Sequence, residues 1–140
     1  PVFLYYSGER YLATLSPGEL KSFCPFRSFL DNGLIVAASS DCPVVPDNPL
    51  VGIYAAVTRQ AESGQQLPPA ECISVSQALT AYTTSAAYAS FEEGYKGSIT
   101  PGKLADIAIL SDDPLRLPPE QIKDIRVEMT IIGGKVVWEG

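Results

Sequence analysis

Gly33-Leu-Ile-Val-Ala-Ala-Ser-Ser-Asp41-Cys-Pro-Val44 runs apolar, turns small and polar, then delivers one carboxylate just before a proline. A near-continuous apolar run reads as a strand buried on both faces, as in parallel sheets. Pro43 has no N–H to give to a ladder, so the strand is expected to end near Cys42. Asp41 then stands at the C-terminal end of a buried strand. Barrels and open α/β sheets place their chemistry at that end. An Asp there also serves as a turn former or helix cap, so position alone does not assign it a role.

Around this stretch the chain alternates. Val2-Phe-Leu-Tyr-Tyr6 is rich in aromatic and aliphatic residues and reads as a strand. Ser16 followed by Pro17 starts a helix, and residues 25–30 form a short one that stops at Asn32-Gly33. Strand, helix and strand joined by short links predict a crossover unit with parallel strands. Residues 51–63 form a helix with Ile53, Ala56 and Val57 on its apolar stripe and Gly64 as its stop. Ser74 and Gln77 have the spacing of a capping box, and Val75, Ala78, Leu79 and Tyr82 fall on one helical face. A second cap at residues 83–85 opens a small-residue helix over 86–90.

The character changes near Gly94. Short strands are expected at 97–100, 105–110, 127–132 and 135–138, with Gly133-Gly134 as a two-residue hairpin turn. Residues 118–122 make a single helical turn. The segment from about 95 onward is thus a small antiparallel module. Gly97-Ser-Ile-Thr-Pro-Gly-Lys103 has the glycines and lysine of a phosphate loop, but Leu104 and a strand follow instead of Ser or Thr and a helix, so it reads as a turn. Glu92-Glu93 and Asp112-Asp113 are solvated loop acids. Tyr5, Tyr6, Phe23, Phe26 and Phe29 are expected in the core.

The chain has 140 residues, 46% hydrophobic and 19% charged, which makes it globular. A net charge of −6 argues against nucleic acid and anionic membrane as partners, and no apolar run reaches the length of a span. Cys24, Cys42 and Cys72 suggest neither a disulfide framework nor a Cys-based zinc site, and are read as reduced thiols of a cytoplasmic protein. Histidine is absent, so the chain holds no Ser–His or Cys–His nucleophile pair and no His-rich metal site of its own. A chain that opens on Pro1 and runs straight into a strand is expected to be the tail of something longer.

Five blocks in order carry a family resemblance. They are Gly33-x-x-Val-x-x-x-Ser-Ser-Asp41-x-Pro-Val44, Pro49-Leu-x-Gly-Ile-Tyr-Ala-Ala-Val-Thr-Arg59, Ala78-Leu-x-x-Tyr-Thr83, Gly97-Ser-Ile-x-Pro-Gly-Lys-Leu-Ala-Asp106-Ile and Gly133-Gly-Lys-Val-Val137. Together they resemble the C-terminal part of an amidohydrolase, of the subgroup similar to N-substituted formamide deformylase. The resemblance implies an α/β fold: residues 1–94 as the last strands and helices of a (β/α)8 TIM barrel, residues 95–140 as the C-terminal part of a composite β-sandwich. It implies a divalent metal, Zn2+ first, in the intact enzyme, with Asp41 as metal ligand and general base acting on water. Arg27 is a candidate for the substrate pocket. Cys42 stands where the family more often has Ala and is expected to pack. The His ligands that the family uses would lie outside this chain, so no metal is expected on it alone and the isolated chain is expected to be inactive. The implied partners are a small amide-type substrate, the remainder of the same polypeptide and, through exposed strand edges, further copies of itself. The alternative is a non-catalytic structural chain that assembles with a partner.

Overall fold

The computed structural model describes residues 1–140. Seven helices come first: α1 (Val2–Tyr6), α2 (Gly8–Thr14), α3 (Pro17–Lys21), α4 (Phe26–Asp31), α5 (Pro49–Thr58), α6 (Val75–Tyr82) and α7 (Thr84–Ala89). Three strands follow, β1 (Ile107–Leu110), β2 (Val127–Ile132) and β3 (Lys135–Glu139), with 3-10 turns at Pro69–Glu71 and Pro119–Asp124.

α5 is the centre. Residues Leu50 through Ala56 are all buried, so this helix has no solvent face and the expected stripe of Ile53, Ala56 and Val57 is replaced by burial all round. Leu50, Ile53, Tyr54 and Ala56 share one cluster with Ile73, Ala78, Ile122 and Ile125. Ala55 joins Leu4, Ala61 and Leu67 in a second, and Val51 joins Val2 and Val45 in a third. Burying Leu50, Val51, Ile53 and Tyr54 is worth roughly 6–12 kcal/mol of transfer free energy before chain entropy is set against it.

The helix is shorter than expected. It stops at Thr58 because Arg59 takes a left-handed conformation with φ of 52°. Gly64, expected as the helix stop, instead turns the small 60–66 loop that the Gln60–Gln66 bridge closes.

Val2–Tyr6 is a helix, not a strand, with Ser7 N–H donating to the Phe3 carbonyl at 2.9 Å. Strand propensity mostly reflects fit to a pleated neighbour. Here Val2 and Leu4 bury against α5, and Tyr5 meets Tyr54 edge-on at 5.8 Å. Residues 34–40 form no ladder either, so the structure contains no parallel pair. Its one sheet runs β1-β2-β3, antiparallel throughout. The expected strand at 97–100 is a turn region, in which Lys103 Nζ donates to the Glu93 carbonyl at 2.7 Å.

Other local readings hold. Ser16 caps α3 in a box with Glu19, and Ser74 caps α6 in a box with Gln77. The second cap fails: Thr83 Oγ1 donates back to the Leu79 carbonyl at 2.7 Å and leaves α7 uncapped. Gly133 and Gly134 take φ of 56° and 79°, as a primed two-residue hairpin turn requires. Of the five aromatic residues expected inside, Phe29 is exposed and the other four are half-buried.

Gly52 explains the packing of α6 on α5. A β-carbon there would lie 1.8 Å from the Tyr82 hydroxyl oxygen. That hydroxyl is buried without a partner, and burial pushes the phenol up to about 12. Gly52→Ala is therefore expected to destabilise the protein by about 1–3 kcal/mol through overpacking. Tyr82→Phe is expected to be neutral or stabilising, because it deletes an unpaired buried group. Urea denaturation of both variants checks the pair; equal losses would reject this account of the contact.

Candidate functional site

Asp41 is delivered by a segment fixed at both ends. α4 closes in a paired-bond C-terminal motif: Gly33 N–H donates to the Leu30 carbonyl and Leu34 N–H to the Phe29 carbonyl, both at 3.0 Å. Gly33 takes φ of 76°, which this motif needs. Residues 34–40 then follow with no helix or strand of their own. Beyond the Leu34 bond, Ala38 N–H donates to the Ala81 carbonyl of α6 at 3.0 Å. Beyond Asp41, Val45 buries beside Val2 and Val51, and Asn48 caps α5 through Leu50 N–H at 3.0 Å.

The expected burial of this strand is not found. Leu34 is 55% exposed and Ile35 58%, while Ala38 is buried. Leu34 and Ile35 thus stand on a segment that pairs with no strand, where apolar side chains call for cover.

Asp41 itself is exposed, with φ of 62°. Asp tolerates the left-handed region better than most residues, yet such conformations concentrate at functional sites. Its carbonyl accepts from Val44 N–H at 3.0 Å, while its carboxylate enters no hydrogen bond or ion pair. Cys42 is exposed rather than packed, so its thiol fills no space in the core. The Cys42–Pro43 bond is cis.

Arg27 lies on the exposed side of α4. Its Nε donates to both Asp31 carboxylate oxygens, at 2.9 and 2.8 Å. No bond joins it to Asp41. A half-exposed pair one helical turn apart contributes little to stability. A cleft of about 550 Å³ opens between α6, α7 and β1, lined among others by Leu79, Tyr82, Ile99 and Ile107; Asp41 is not part of its lining.

Two residues that the sequence reading passed over prove to be buried. Arg59 has no exposed surface and Glu71 keeps 8%. Arg59 donates to the Cys24 carbonyl at 3.1 Å and the Phe23 carbonyl at 2.9 Å, while its Nε has no partner. Burial lowers the pKa of the guanidinium, and Cys24, Cys72 and Glu71 act in the opposite direction. Glu71 accepts from Ser28 N–H at 2.8 Å and from the Ser28 hydroxyl. Pro25 offers α4 no side-chain cap, so a carboxylate 43 residues away supplies one. Burial acts to raise the Glu71 carboxyl, but the Ser28 bonds and Arg59 hold it below its ordinary 4.5. Arg59 closes one of the family blocks, but inside the helix expected over 51–63 it reads as an ordinary charged residue, and no local pattern marks Glu71.

No three His, Cys, Asp or Glu side chains come together anywhere in the chain, and no helix is long and apolar enough to cross a membrane.

Comparison with known proteins identifies relatives. The profile of the Amidohydrolase family (Amidohydro_3) matches residues 1–138. A Bacillus subtilis (strain 168) protein named as an amidohydrolase, YtcJ, is 32% identical over 128 residues, covering 89% of this chain and 24% of its own length. N-substituted formamide deformylase of Arthrobacter pascens is 34% identical over 121 residues, covering 86% of this chain and 22% of its own. This chain therefore spans about a quarter of the length of these relatives. An amidohydrolase crystal structure from Thermotoga maritima MSB8 shares the fold with a TM-score of 0.64 at 24% identity, over 82% of this chain and 26% of that one.

A carboxyl held below its unfolded pKa stabilises the fold above that value and loses this contribution as pH falls through the folded one. Glu71 should thus add acid sensitivity below about pH 4.5. Denaturant titrations of wild type and Glu71→Gln at stepped pH values are expected to converge as pH falls, with the variant the less pH-dependent. Parallel curves would remove Glu71 from the acid response.

Proposed function

Because the chain belongs to the amidohydrolase family, we propose that it is the C-terminal part of a hydrolase that cleaves amide-type C–N bonds, with Asp41 as general base. The observation that carries this reading is an exposed carboxylate without internal partners, set in a left-handed turn at the end of a segment that pairs with no strand. Residues 34–41 would be a barrel strand whose ladder neighbours lie outside the chain. Residues 1–94 would complete a (β/α)8 barrel, and residues 95–140 one part of a composite sandwich. The exposed Leu34 and Ile35 support that reading, since apolar residues on a lone strand call for cover.

In the proposed reaction Asp41 accepts a proton from water as the water oxygen bonds to the carbonyl carbon. The tetrahedral adduct collapses with loss of the C–N bond, and the leaving nitrogen takes the proton that Asp41 had accepted, which returns the carboxylate. A base within hydrogen-bond reach of the attacking water accelerates such a step by about 10²–10⁴. The donors present in this chain do not fit a resident metal, because one carboxylate is no site. A divalent cation such as Zn2+, with Asp41 among its ligands, would need its other ligands from residues beyond these 140. The isolated chain would then be inactive.

N-substituted formamides are the first substrates to test, since a relative is named for deformylating them. Arg27 would contact substrate through its terminal guanidinium nitrogens, since Asp31 engages only Nε. The compartment proposed is the cytoplasm. A non-catalytic chain that assembles with a partner is the second reading, favoured by the exposure of Val136, Val137 and Trp138 on β3.

In the polypeptide as its gene encodes it, Asp41→Asn should lower kcat for amine release from an N-substituted formamide by about 10²–10⁴. Unchanged turnover would discard Asp41 as the base. Absence of activity from wild type across amides, ureas and cyclic imides would favour the non-catalytic reading.

A further inference from the structure

Arg59 and Glu71 are the two buried charged side chains, and both grip the same short segment. Arg59 holds the carbonyls of Phe23 and Cys24, just before α4. Glu71 holds the N–H and hydroxyl of Ser28, inside its first turn. Cys24 takes φ of 49° and Arg59 φ of 52°, so two left-handed residues face each other across this contact. Neither is glycine, and such conformations persist only where the surroundings fix them.

A buried guanidinium is a costly way to fill space. An apolar side chain of similar volume often does so with equal or better stability. Here Nε is left unpaired as well. What the charged group adds is direction: a planar fork fixes two carbonyls at once, which a point charge or a hydrocarbon does not.

We propose that Arg59 and Glu71 are positioning residues for the Asp41 segment. The path is continuous. The two side chains fix the entry and first turn of α4, and α4 is only six residues long. Phe26 and Leu30 seat it on the central core. Its far end binds Leu34 directly through the Phe29 carbonyl, and Ala38 then docks on α6. The direction in which residues 34–41 leave α4 is therefore set by what holds the start of α4. The proposal rests on the reading of Asp41 as the base.

The test is hydrogen–deuterium exchange, read by mass spectrometry on the polypeptide as its gene encodes it, for peptides covering 23–31, 34–41 and 75–82. In Arg59→Met and Glu71→Ala, exchange over 34–41 should rise about tenfold while 75–82 stays within about twofold of wild type. Glu71→Gln, whose amide oxygen still accepts from Ser28 N–H, should restore wild-type exchange over 34–41. Faster exchange confined to 23–31 would overturn the proposal, as would an equal rise in all three peptides. Should Arg59→Met fail to fold, Glu71→Ala and its Gln rescue decide by the same criteria. Exchange is read without substrate, so its outcome is separate from whether Asp41→Asn loses activity.

Discussion

Burial of α5 on every side is the constraint from which the rest follows. A helix with no polar face needs cover all round, and this chain supplies it from four directions. α1 covers one side, α6 another, the 3-10 turn with Ile122 a third, and the 61–67 loop the last. Each of the three hydrophobic clusters contains a residue of this helix. Gly52 sets how closely α6 approaches, with the Tyr82 hydroxyl occupying the space that a β-carbon would fill. The price is a phenol hydroxyl buried without a partner.

Polar anchoring works at the rim of that core, where apolar contact cannot specify direction. α4 touches the core through two side chains and has no local cap. Glu71 and Arg59 compensate from distant points in the sequence. Between α4 and α5 the chain passes through a mostly exposed stretch, residues 34–44, and there it presents Asp41. A carboxylate in this position is free to meet water and a substrate, in contrast to Glu92, which is tied to Ser90, Tyr95 and Lys96.

Much of this was legible in the sequence where the determinant is local. The Ser16 cap, the Ser74–Gln77 capping box, the Gly133-Gly134 turn, the Asn32-Gly33 helix stop and the antiparallel tail depend on a few adjacent residues. Asp41 was legible as a position, through its place after an apolar run and before Pro43. What escaped depends on distant neighbours. Val2–Tyr6 has the composition of a strand but no strand beside it, so it coils and packs on α5. Residues 34–38 have the composition of a buried strand, but in this chain no strand pairs with them and Leu34 and Ile35 stay exposed. Arg59 and Glu71 look like ordinary surface charges until the chain brings the 23–28 segment against them.

The central claim is that Asp41 is presented to a reacting water in amide hydrolysis. A crystal structure of the polypeptide as its gene encodes it, bound to a non-hydrolysable analogue of the tetrahedral adduct, tests it most directly. A carboxylate oxygen of Asp41 within about 2.6–3.2 Å of the oxygen that stands for the attacking water is the predicted result. An analogue bound with Asp41 still turned to solvent, and another side chain against that oxygen, would contradict it.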